Sequence, residues 1–464
     1  MTKKMLSRRD FVKAAALGGG AIVLAACAPA PAAVPATAAP AAAPVAELIE
    51  LTWMTPDREL ENKIKALQLD HFNGLMEAGG KPWRVKGVFG PATDNDLLTK
   101  LTLDAAAGTL PDMFSPPGAL LADFAAANYL ADLRTYFETW PDWELTHEVA
   151  KPYAEIGGKF LGLPYASTYS LFYRHDLLKA NGISTDAPKT WDEFYARCAQ
   201  IADKTDATAT GIPGAKPWGG GTWGEAFQMI WLGFDGPIFE DGKWAVHSPN
   251  LLKAFEVYHE LASNGWLTVD ELLSPNPWEP IKYEGFPKGS VAIVTGGDHQ
   301  WTFDWGAEGA TPIEGLFEKV DRWGFPAEDG KPFIFVSGGV GTVVAANSKS
   351  PEGCAEFFKI GSDPVQQCKL MEIYIGGVSS RIDMPEKCPT YAAAVNGKMA
   401  QATDFLSTGR TFNYDQIGSG KVSDAVGQAT EDIITGAKTA KEAMDAFADS
   451  LTESLGAENV MRVS

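Results

Sequence analysis

Hydrophobic and polar positions recur with two different periods along the chain, and each period predicts its own kind of element. The segment LIELTWMT, residues 48–55, is rich in β-branched and aromatic side chains and stops at Pro56-Asp57, which predicts a strand and then a turn. The next segment carries Ile64, Leu67 and Phe72 at helical spacing. The first unit of the folded body is therefore predicted to be a strand followed by a helix.

The alternation of buried strands and amphipathic helices continues toward the carboxyl end. Capping boxes, in which a glutamate follows a threonine by three residues, mark two helix starts, at Thr190 and Thr439. Further predicted elements are a strand over residues 84–90, a helix over 96–107 that ends before Gly108, and a buried strand over 291–297. This order predicts an α/β fold built on mainly parallel sheets.

The first 26 residues have the composition of an export signal. A basic head that includes Arg8 and Arg9 precedes an apolar run over residues 14–26, which is shorter than the roughly 20 residues that a membrane-spanning helix needs. The paired arginines in SRRDFVK resemble the twin-arginine signal that exports folded proteins, and the alternative is an ordinary secretory signal. Residues 1–26 are therefore predicted to be a signal peptide.

The apolar run ends in LAAC, which resembles a bacterial lipobox and predicts that Cys27 becomes the lipidated first residue of the mature protein. The alternative is an incidental cysteine beside an ordinary cleavage site. Residues 28–46 are almost entirely alanine and proline, which cannot bury a core, and at about 3.1 Å per residue they could extend roughly 60 Å. Residues 27–46 are predicted to anchor and tether an exported body at the outer face of the cytoplasmic membrane, in an envelope of one membrane or two.

The body that follows the tether is strongly acidic. The sequence has 39 lysines and arginines against 59 aspartates and glutamates, a net charge of −20. The predicted signal carries five basic residues and one acidic residue, so its removal leaves about −24. Such a surface makes nucleic acid and anionic lipid poor partners. The length beyond the tether exceeds what one core usually covers, which predicts two domains.

Cysteine and histidine spacings match no metal site or redox centre. Beyond Cys27 the cysteines are Cys198, Cys354, Cys368 and Cys388, and either three pairings or free thiols stay open in an exported protein. The six histidines are scattered, and the sequence contains no HExxH or Walker motif. We therefore expect no catalytic residue, no metal and no cofactor.

Five segments stand out because they follow one another in the order known from one family: AAAGTLPDMF with LADL (105–114 and 130–133), GLPYASTYSLFYRHDLL (162–178), PKTWDEF (188–194), FPKGSVAIVTGGDHQW (286–301) and GGVGTVVAANSKSPEGCAEFFKIGSDPVQQ (338–367). Behind a lipobox, this set resembles the extracellular solute-binding proteins of family 1, the lipid-anchored receptors of carbohydrate ABC importers. One departure lies at Arg174-His175, because the family often has an asparagine directly after the tyrosine of this segment.

The resemblance implies a two-lobed fold of the periplasmic-binding-protein type, in which each lobe is a mainly parallel sheet flanked by helices. Residues 47–163 and 328–375 would form the first lobe, and residues 164–327 and 376–464 the second. A sugar or oligosaccharide would lie in the cleft between the lobes, and hinge closure would give a shape that the membrane permease recognises. The protein would be a monomeric receptor without chemistry of its own, and the permease and its ATPase would be separate chains.

Candidate ligand contacts are aromatic and polar residues at turns and strand ends. The chain has 14 tryptophans and 12 tyrosines, and a planar ring packs against the apolar face of a pyranose while polar groups pair with its hydroxyls. The residues selected in this way are Trp53, Asp57, Arg58, Tyr165, Trp218, Trp223, Asp298, Trp301, Gly338 and Tyr414. The alternative for a loop tryptophan is a place in the core of its own lobe, and for Asp57 or Arg58 it is a solvated surface charge.

Two other functions stay open. The same fold could bind a polyamine, glycerol phosphate or another small solute, although most candidate loops are aromatic rather than basic. A surface-anchored carbohydrate-active enzyme would need two carboxylates about 5 to 9.5 Å apart with separated pKa values. The sequence offers no catalytic motif, so we expect a receptor.

Overall fold

The computed structural model describes residues 47–116, 120–373, 378–393, 395, 397–412 and 416–463. The predicted signal peptide, Cys27, the Ala/Pro tether and Tyr414 lie outside these residues. Within the described part of the chain, no helix has the length and apolar character needed to cross a membrane. In the same part, no group of three or more His, Cys, Asp or Glu side chains is placed to hold a metal ion.

Strands and helices alternate along the described chain. The strands are β1 (Ile49–Pro56), β2 (Trp83–Gly90), β3 (Met113–Phe114), β4 (Glu155–Ile156), β5 (Lys159–Phe160), β6 (Pro164–Arg174), β7 (Thr208–Gly211), β8 (Phe239–Glu240), β9 (Lys243–His247), β10 (Val291–Gly297), β11 (Val320–Trp323), β12 (Phe335–Val340), β13 (Val343–Val344), β14 (Arg410–Thr411) and β15 (Val460–Arg462). The longer helices are α1 (Glu59–Ala78), α2 (Asp94–Ala107), α3 (Trp191–Lys204), α4 (Pro249–Ser263), α5 (Pro351–Gly361), α6 (Pro364–Ile373), α7 (Lys398–Leu406), α8 (Ser419–Ile434) and α9 (Ala440–Leu455). Shorter helices include Leu121–Ala126, Arg134–Phe137, His175–Ala180, Gln228–Leu232, Val269–Leu272, Leu316–Lys319, Met384–Lys387 and Pro389–Ala393.

The elements predicted from local patterns are confirmed. β1 is followed directly by α1, and β2 and β10 match the other two predicted strands. α2 begins after Thr93, whose side chain accepts a hydrogen bond from the backbone N–H of Asp96. It ends at Gly108, where φ is +69°, a left-handed conformation that glycine adopts without a steric penalty.

The two predicted capping boxes differ in detail. At α9, Thr439 accepts from the N–H of Glu442, and the Glu442 carboxylate accepts from the N–H of Thr439 at 2.9 Å, so the box is complete. At α3, Thr190 accepts from the N–H of Glu193, but the Glu193 carboxylate accepts from the N–H of Lys189 at 2.8 Å. In α3 the Glu193 carboxylate therefore binds the N–H of the residue before Thr190 instead of the N–H of Thr190 itself. Both helices still begin directly after the predicted threonine.

The first sheet has the strand order β13-β3-β1-β2 and is mainly parallel, as predicted. β1 runs parallel to β2 and β3, while β13 pairs antiparallel with β3. Successive side chains of β1 point to opposite faces: Met54 packs with Leu97 and Leu101 of α2, and Trp53 packs with Phe72 of α1. Helices therefore cover both faces of this sheet, as parallel strands require.

The second sheet is mixed, which differs from the predicted, mainly parallel arrangement. Its order is β14-β12-β6-β10-β7, and β11 also pairs with β6. β6 runs antiparallel to β10, β11 and β12, whereas β7 and β14 are parallel to their neighbours. β6 has 11 residues, so its first half pairs with β12 and its second half pairs with β10 and β11.

A large hydrophobic cluster surrounds the second sheet and takes up many of the aromatic side chains. Its fully buried tryptophans include Trp218, Trp231, Trp244, Trp301 and Trp305. Aromatic side chains of this size bury a large apolar area, so they account for much of the stability of this part of the fold. The boundaries of the two lobes stay a prediction.

One disulfide forms among the cysteines that the sequence left unassigned. Cys368 on α6 is bonded to Cys388, which directly precedes the helix Pro389–Ala393, and their Cα atoms are 5.6 Å apart. Cys198 and Cys354 are free and buried. Burial raises the pKa of both of these thiols, which keeps them in the unreactive protonated form.

Candidate ligand-binding site

A cavity of about 600 Å³ lies at the start of β6, within the range typical of small-molecule sites. Its aromatic lining comes from Trp53, Trp140, Tyr165, Tyr169, Phe357 and Phe358. Its uncharged polar side chains are those of Gln68, Thr146, Ser167, Thr342, Ser362, Gln367, Ser379 and Ser380. Asp142, His299 and Arg381 complete the polar part of the lining. The wall thus combines planar rings with many hydroxyl and amide groups.

Main-chain hydrogen bonds fix one wall of the cavity, residues 378–382. The N–H of Val378 donates to the carbonyl of Ala166 at 3.0 Å, and the N–H of Ile382 donates to the carbonyl of Leu145 at 2.8 Å. The carbonyl of Ser380 accepts from the N–H of His147 at 2.9 Å. This wall therefore lies between β6 and the turn that ends near residue 147, and the protein itself fixes the backbone of the wall.

Close packing of β12 on β6 requires a glycine beneath the cavity. A Cβ atom at Gly338 would lie 2.6 Å from the carbonyl oxygen of Tyr165 and 2.7 Å from Cδ2 of Tyr153. The Tyr153 hydroxyl donates to the carbonyl of Val336, also on β12, at 2.8 Å. Gly338 therefore allows the two strands and the Tyr153 ring to meet, and its direct contact with ligand stays a prediction.

Two aromatic residues selected from the sequence line the cavity. The Tyr165 side chain is exposed, with 51% of its surface accessible. Trp53 is buried and packs edge-on against Phe357 with ring centroids 5.1 Å apart. Its indole N–H is buried and has no hydrogen-bond partner within the described residues. An unpaired buried donor costs about 1–3 kcal/mol, so a ligand oxygen that accepts from it would gain affinity.

The charged groups of the cavity form one ion-paired cluster. Arg381 donates from Nη1 to Asp142 Oδ2 at 2.8 Å, and from Nε and Nη2 to the two oxygens of Asp383 at 2.9 and 3.0 Å. Burial alone would lower the pKa of Arg381, but the hydrogen bonds to Asp383 and Asp142 raise it above its ordinary value. The guanidinium is therefore permanently charged and satisfied by the protein itself.

Asp298 supports the cavity from behind. It is fully buried, and its carboxylate accepts from the N–H of Thr168 at 2.6 Å, from the Thr168 hydroxyl at 2.8 Å and from Arg322 Nη1 at 2.9 Å. The neighbours of these residues, Tyr169 and His299, line the cavity with ring centroids 6.4 Å apart. Asp298 thus fixes the backbone from which both rings project.

The surroundings of His299 favour its neutral form at the cavity wall. Burial lowers its pKa most, and the nearby Lys282 ammonium lowers the pKa further, against the opposing effect of Asp304, Glu225 and Asp298. Lys282 is itself buried and pairs with Glu225 at 2.5 Å. A neutral imidazole can both donate and accept a hydrogen bond, which suits a hydroxyl ligand.

The other residues selected from the sequence lie away from the cavity. Trp218, Trp223 and Trp301 are buried in the cluster around the second sheet. Asp57 and Arg58 follow β1: Asp57 accepts from Asn62 at 2.8 Å and Arg58 Nε donates to the carbonyl of Ala92 at 2.7 Å. In the structure these five side chains serve packing and local hydrogen bonding, and their contact with ligand stays a prediction. Tyr414 lies outside the described residues.

Several cavity residues were not selected from the sequence, among them Trp140, Asp142, Tyr169, Phe358 and Arg381. Trp140 and Asp142 flank Pro141 in a turn, so the criterion of aromatic and polar residues in turns would have found them. Arg381 carries no comparable local signal, because its partner Asp142 is 239 residues away in the sequence.

Known proteins share sequence and fold with this chain. Diacetylchitobiose binding protein DasA of Streptomyces coelicolor is 27% identical over 295 residues, which cover 61% of this chain and 62% of DasA. The chain thus matches less than two thirds of the length of that relative. Three solved structures share the fold. The cyclic alpha-maltosyl-1,6-maltose binding protein of Arthrobacter globiformis has a TM-score of 0.72 and 20% identity, and the match covers 88% of this chain and 99% of that one. The GacH receptor of Streptomyces glaucescens has a TM-score of 0.68 and 21% identity, with 89% and 100% covered, and the sugar-binding protein MalE of Xanthomonas citri has a TM-score of 0.70 and 19% identity, with 88% and 98% covered.

These likenesses confirm the predicted fold class, a two-lobed α/β fold of the periplasmic-binding-protein type. The relatives are named as binding proteins or receptors, in agreement with the prediction that the chain is not an enzyme. Residues 72–401, more than half of the chain, match the family described as bacterial extracellular solute-binding protein. The protein therefore belongs to the family of bacterial extracellular solute-binding proteins.

Proposed function

We propose that the protein is the receptor of an ABC importer, which captures a sugar or short oligosaccharide outside the cytoplasmic membrane and delivers it to the permease. The lining of the cavity supports this proposal most directly. Trp53, Trp140 and Tyr165 offer rings to the apolar faces of a sugar, and the surrounding hydroxyl and amide groups suit its many uncharged hydroxyls. The relatives add support, since they are named for binding diacetylchitobiose and cyclic maltosyl-maltose.

The charge of the cavity argues against the alternative solutes. A phosphate ester needs a free cation, but Arg381 already pairs with two carboxylates, and no lysine lines the cavity within the described residues. A polyamine needs several separated carboxylates, whereas Asp142 is the one carboxylate in the described lining. A sugar therefore fits this lining better than either.

We also propose the finer features predicted from the sequence. A twin-arginine signal would export the chain, a lipid on Cys27 would hold it at the membrane, and it would act as a monomer whose two lobes close on the ligand. Replacement of Cys27 by serine should then release the protein from the membrane fraction of the cell. Retention of that variant in the membrane fraction would contradict the anchor.

Calorimetric titration of the full chain with mono- and oligosaccharides, polyamines and glycerol phosphate tests the function. We expect saturable binding of at least one sugar, which is recovered unchanged. Tyr165→Ala should weaken that binding about tenfold, since stacking and burial of one exposed ring are lost. Phe89→Ala is the matched control, because Phe89 is 59% exposed but does not line the cavity. Binding of phosphate or polyamine alone, or cleavage of the sugar, would overturn the proposal.

A further inference from the structure

The ion-paired cluster at the cavity wall carries more negative than positive charge. Arg381 donates to Asp142 through Nη1 and to Asp383 through Nε and Nη2, and Nη1 also donates to the carbonyl of Ser362 at 3.3 Å. Four of the five N–H groups of a guanidinium are thereby used by the protein. Two carboxylates share one cation, so the cluster keeps one uncompensated negative charge.

The two carboxylates are not equivalent. Both oxygens of Asp383 accept from Arg381, and the residue does not line the cavity. Asp142 lines the cavity, its side chain is 40% exposed, and Oδ2 accepts from Arg381. Within the described residues, no hydrogen bond occupies Asp142 Oδ1. The uncompensated charge is thus presented to the cavity by Asp142.

No other group of the described lining offsets this charge. Burial and the neighbouring Lys282 lower the pKa of His299, which favours its neutral form. Lys282 does not line the cavity and pairs with Glu225. The remaining polar lining consists of hydroxyl and amide groups, which carry no net charge. The position of this negative charge in the cavity wall therefore favours a ligand with a single cationic group.

We propose that Asp142 makes the receptor selective for glycosides that carry a protonated amine, over neutral and anionic glycosides of the same size and linkage. The inference rests on the proposed function and narrows its ligand class to amino sugars and amine-bearing oligosaccharides. The ammonium group would donate to Asp142 Oδ1 while Arg381 holds the other oxygen. A charged hydrogen bond is about twice as strong as a neutral one, so the preference should be about fivefold or more.

Calorimetry with matched ligands tests the inference. Glucosamine oligosaccharides of two to four units are compared with their N-acetylated forms and with uronic acid oligosaccharides, using the full chain at about pH 6, where the amine is protonated. We expect the amine-bearing form to bind about fivefold more tightly or better than the N-acetylated form, and the anionic form to bind most weakly.

Two variants test whether the preference for amine-bearing ligands comes from Asp142. Asp142→Asn keeps the shape of the side chain and should bring the ratio between amine-bearing and N-acetylated ligands close to one. Glu144→Gln removes the same charge from the same turn, but Glu144 is 81% exposed and does not line the cavity, so the ratio should persist.

Equal affinities for the two forms in the wild-type protein, or an undiminished ratio in Asp142→Asn, would overturn the inference and leave the sugar receptor intact. Absence of binding by every glycoside would overturn both.

Discussion

Asp298 lies at the centre of a buried ion pair behind the cavity, and Asp298→Asn is expected to lower the free energy of unfolding by about 3–5 kcal/mol. Its carboxylate faces donors on both oxygens: the N–H and hydroxyl of Thr168 and Nη1 of Arg322. Asparagine has one accepting oxygen, so its amide N–H₂ would face a donor in either orientation. The substitution also leaves the Arg322 guanidinium buried without a counter-charge.

Urea denaturation followed by circular dichroism measures this effect, and the double variant Asp298→Asn/Arg322→Met serves as its control. Removal of the cation as well should restore at least about 2 kcal/mol relative to Asp298→Asn alone, because the stranded charge is then gone. Calorimetry on Asp298→Asn should show weaker ligand binding as well, since Tyr169 and His299 lose their common support.

A loss of stability below about 1 kcal/mol, together with a large loss of affinity, would mean that Asp298 contacts the ligand rather than the fold. That outcome would require the residue to leave Thr168 when ligand binds, and it would favour the contact that the sequence alone suggests.

Three further substitutions probe other contacts. Serine at both Cys368 and Cys388 should lower the free energy of unfolding by roughly 3 kcal/mol, because the bond closes a loop of 20 residues; an unchanged urea midpoint would contradict this. Burial lowers the pKa of His299, so wild-type stability should fall as the pH drops below about 6.5, and His299→Gln should lessen that fall in thermal melts; identical pH profiles would contradict it. Trp53→Phe should weaken sugar binding about threefold to tenfold, since the unpaired indole N–H is lost while an aromatic ring still faces Phe357; full affinity by calorimetry would contradict it.

Local chemistry allowed the sequence to predict elements but not how they pair. Three features at helix ends each involve residues only a few positions apart: the cap at Thr93, the left-handed Gly108 and the capping box at Thr439. The local sequence is therefore enough to predict them. The antiparallel pairing of β6 with β12 joins residues more than 150 positions apart. Partners at such separation are chosen by packing of the whole sheet, which local periodicity does not contain.

The tryptophans show that local sequence also does not predict which side chains line the cavity. The sequence analysis selects Trp218 as an aromatic residue in a turn, and three glycines, Gly219, Gly220 and Gly221, follow it directly. The structure shows that Gly221 makes room for the ring, because a Cβ atom there would lie 2.4 Å from Cδ1 of Trp218. A glycine near an aromatic residue can thus let the backbone pack closely over the ring, or it can leave the ring exposed to solvent. The sequence does not distinguish these two arrangements. Tyr165, by contrast, sits on an alternating strand start, where the outward position is already exposed.

The cavity gains its selectivity from groups that are ordered before binding. Residues 378–382 are held by main-chain hydrogen bonds to Leu145, His147 and Ala166, and Arg381 is held by Asp383. Ordering a side chain on binding costs about 0.5–1.5 kcal/mol for each flexible group, and here folding has already met that cost. This explains why the charge on Asp142, fixed on one oxygen by Arg381, can discriminate between ligands that differ by a single amine.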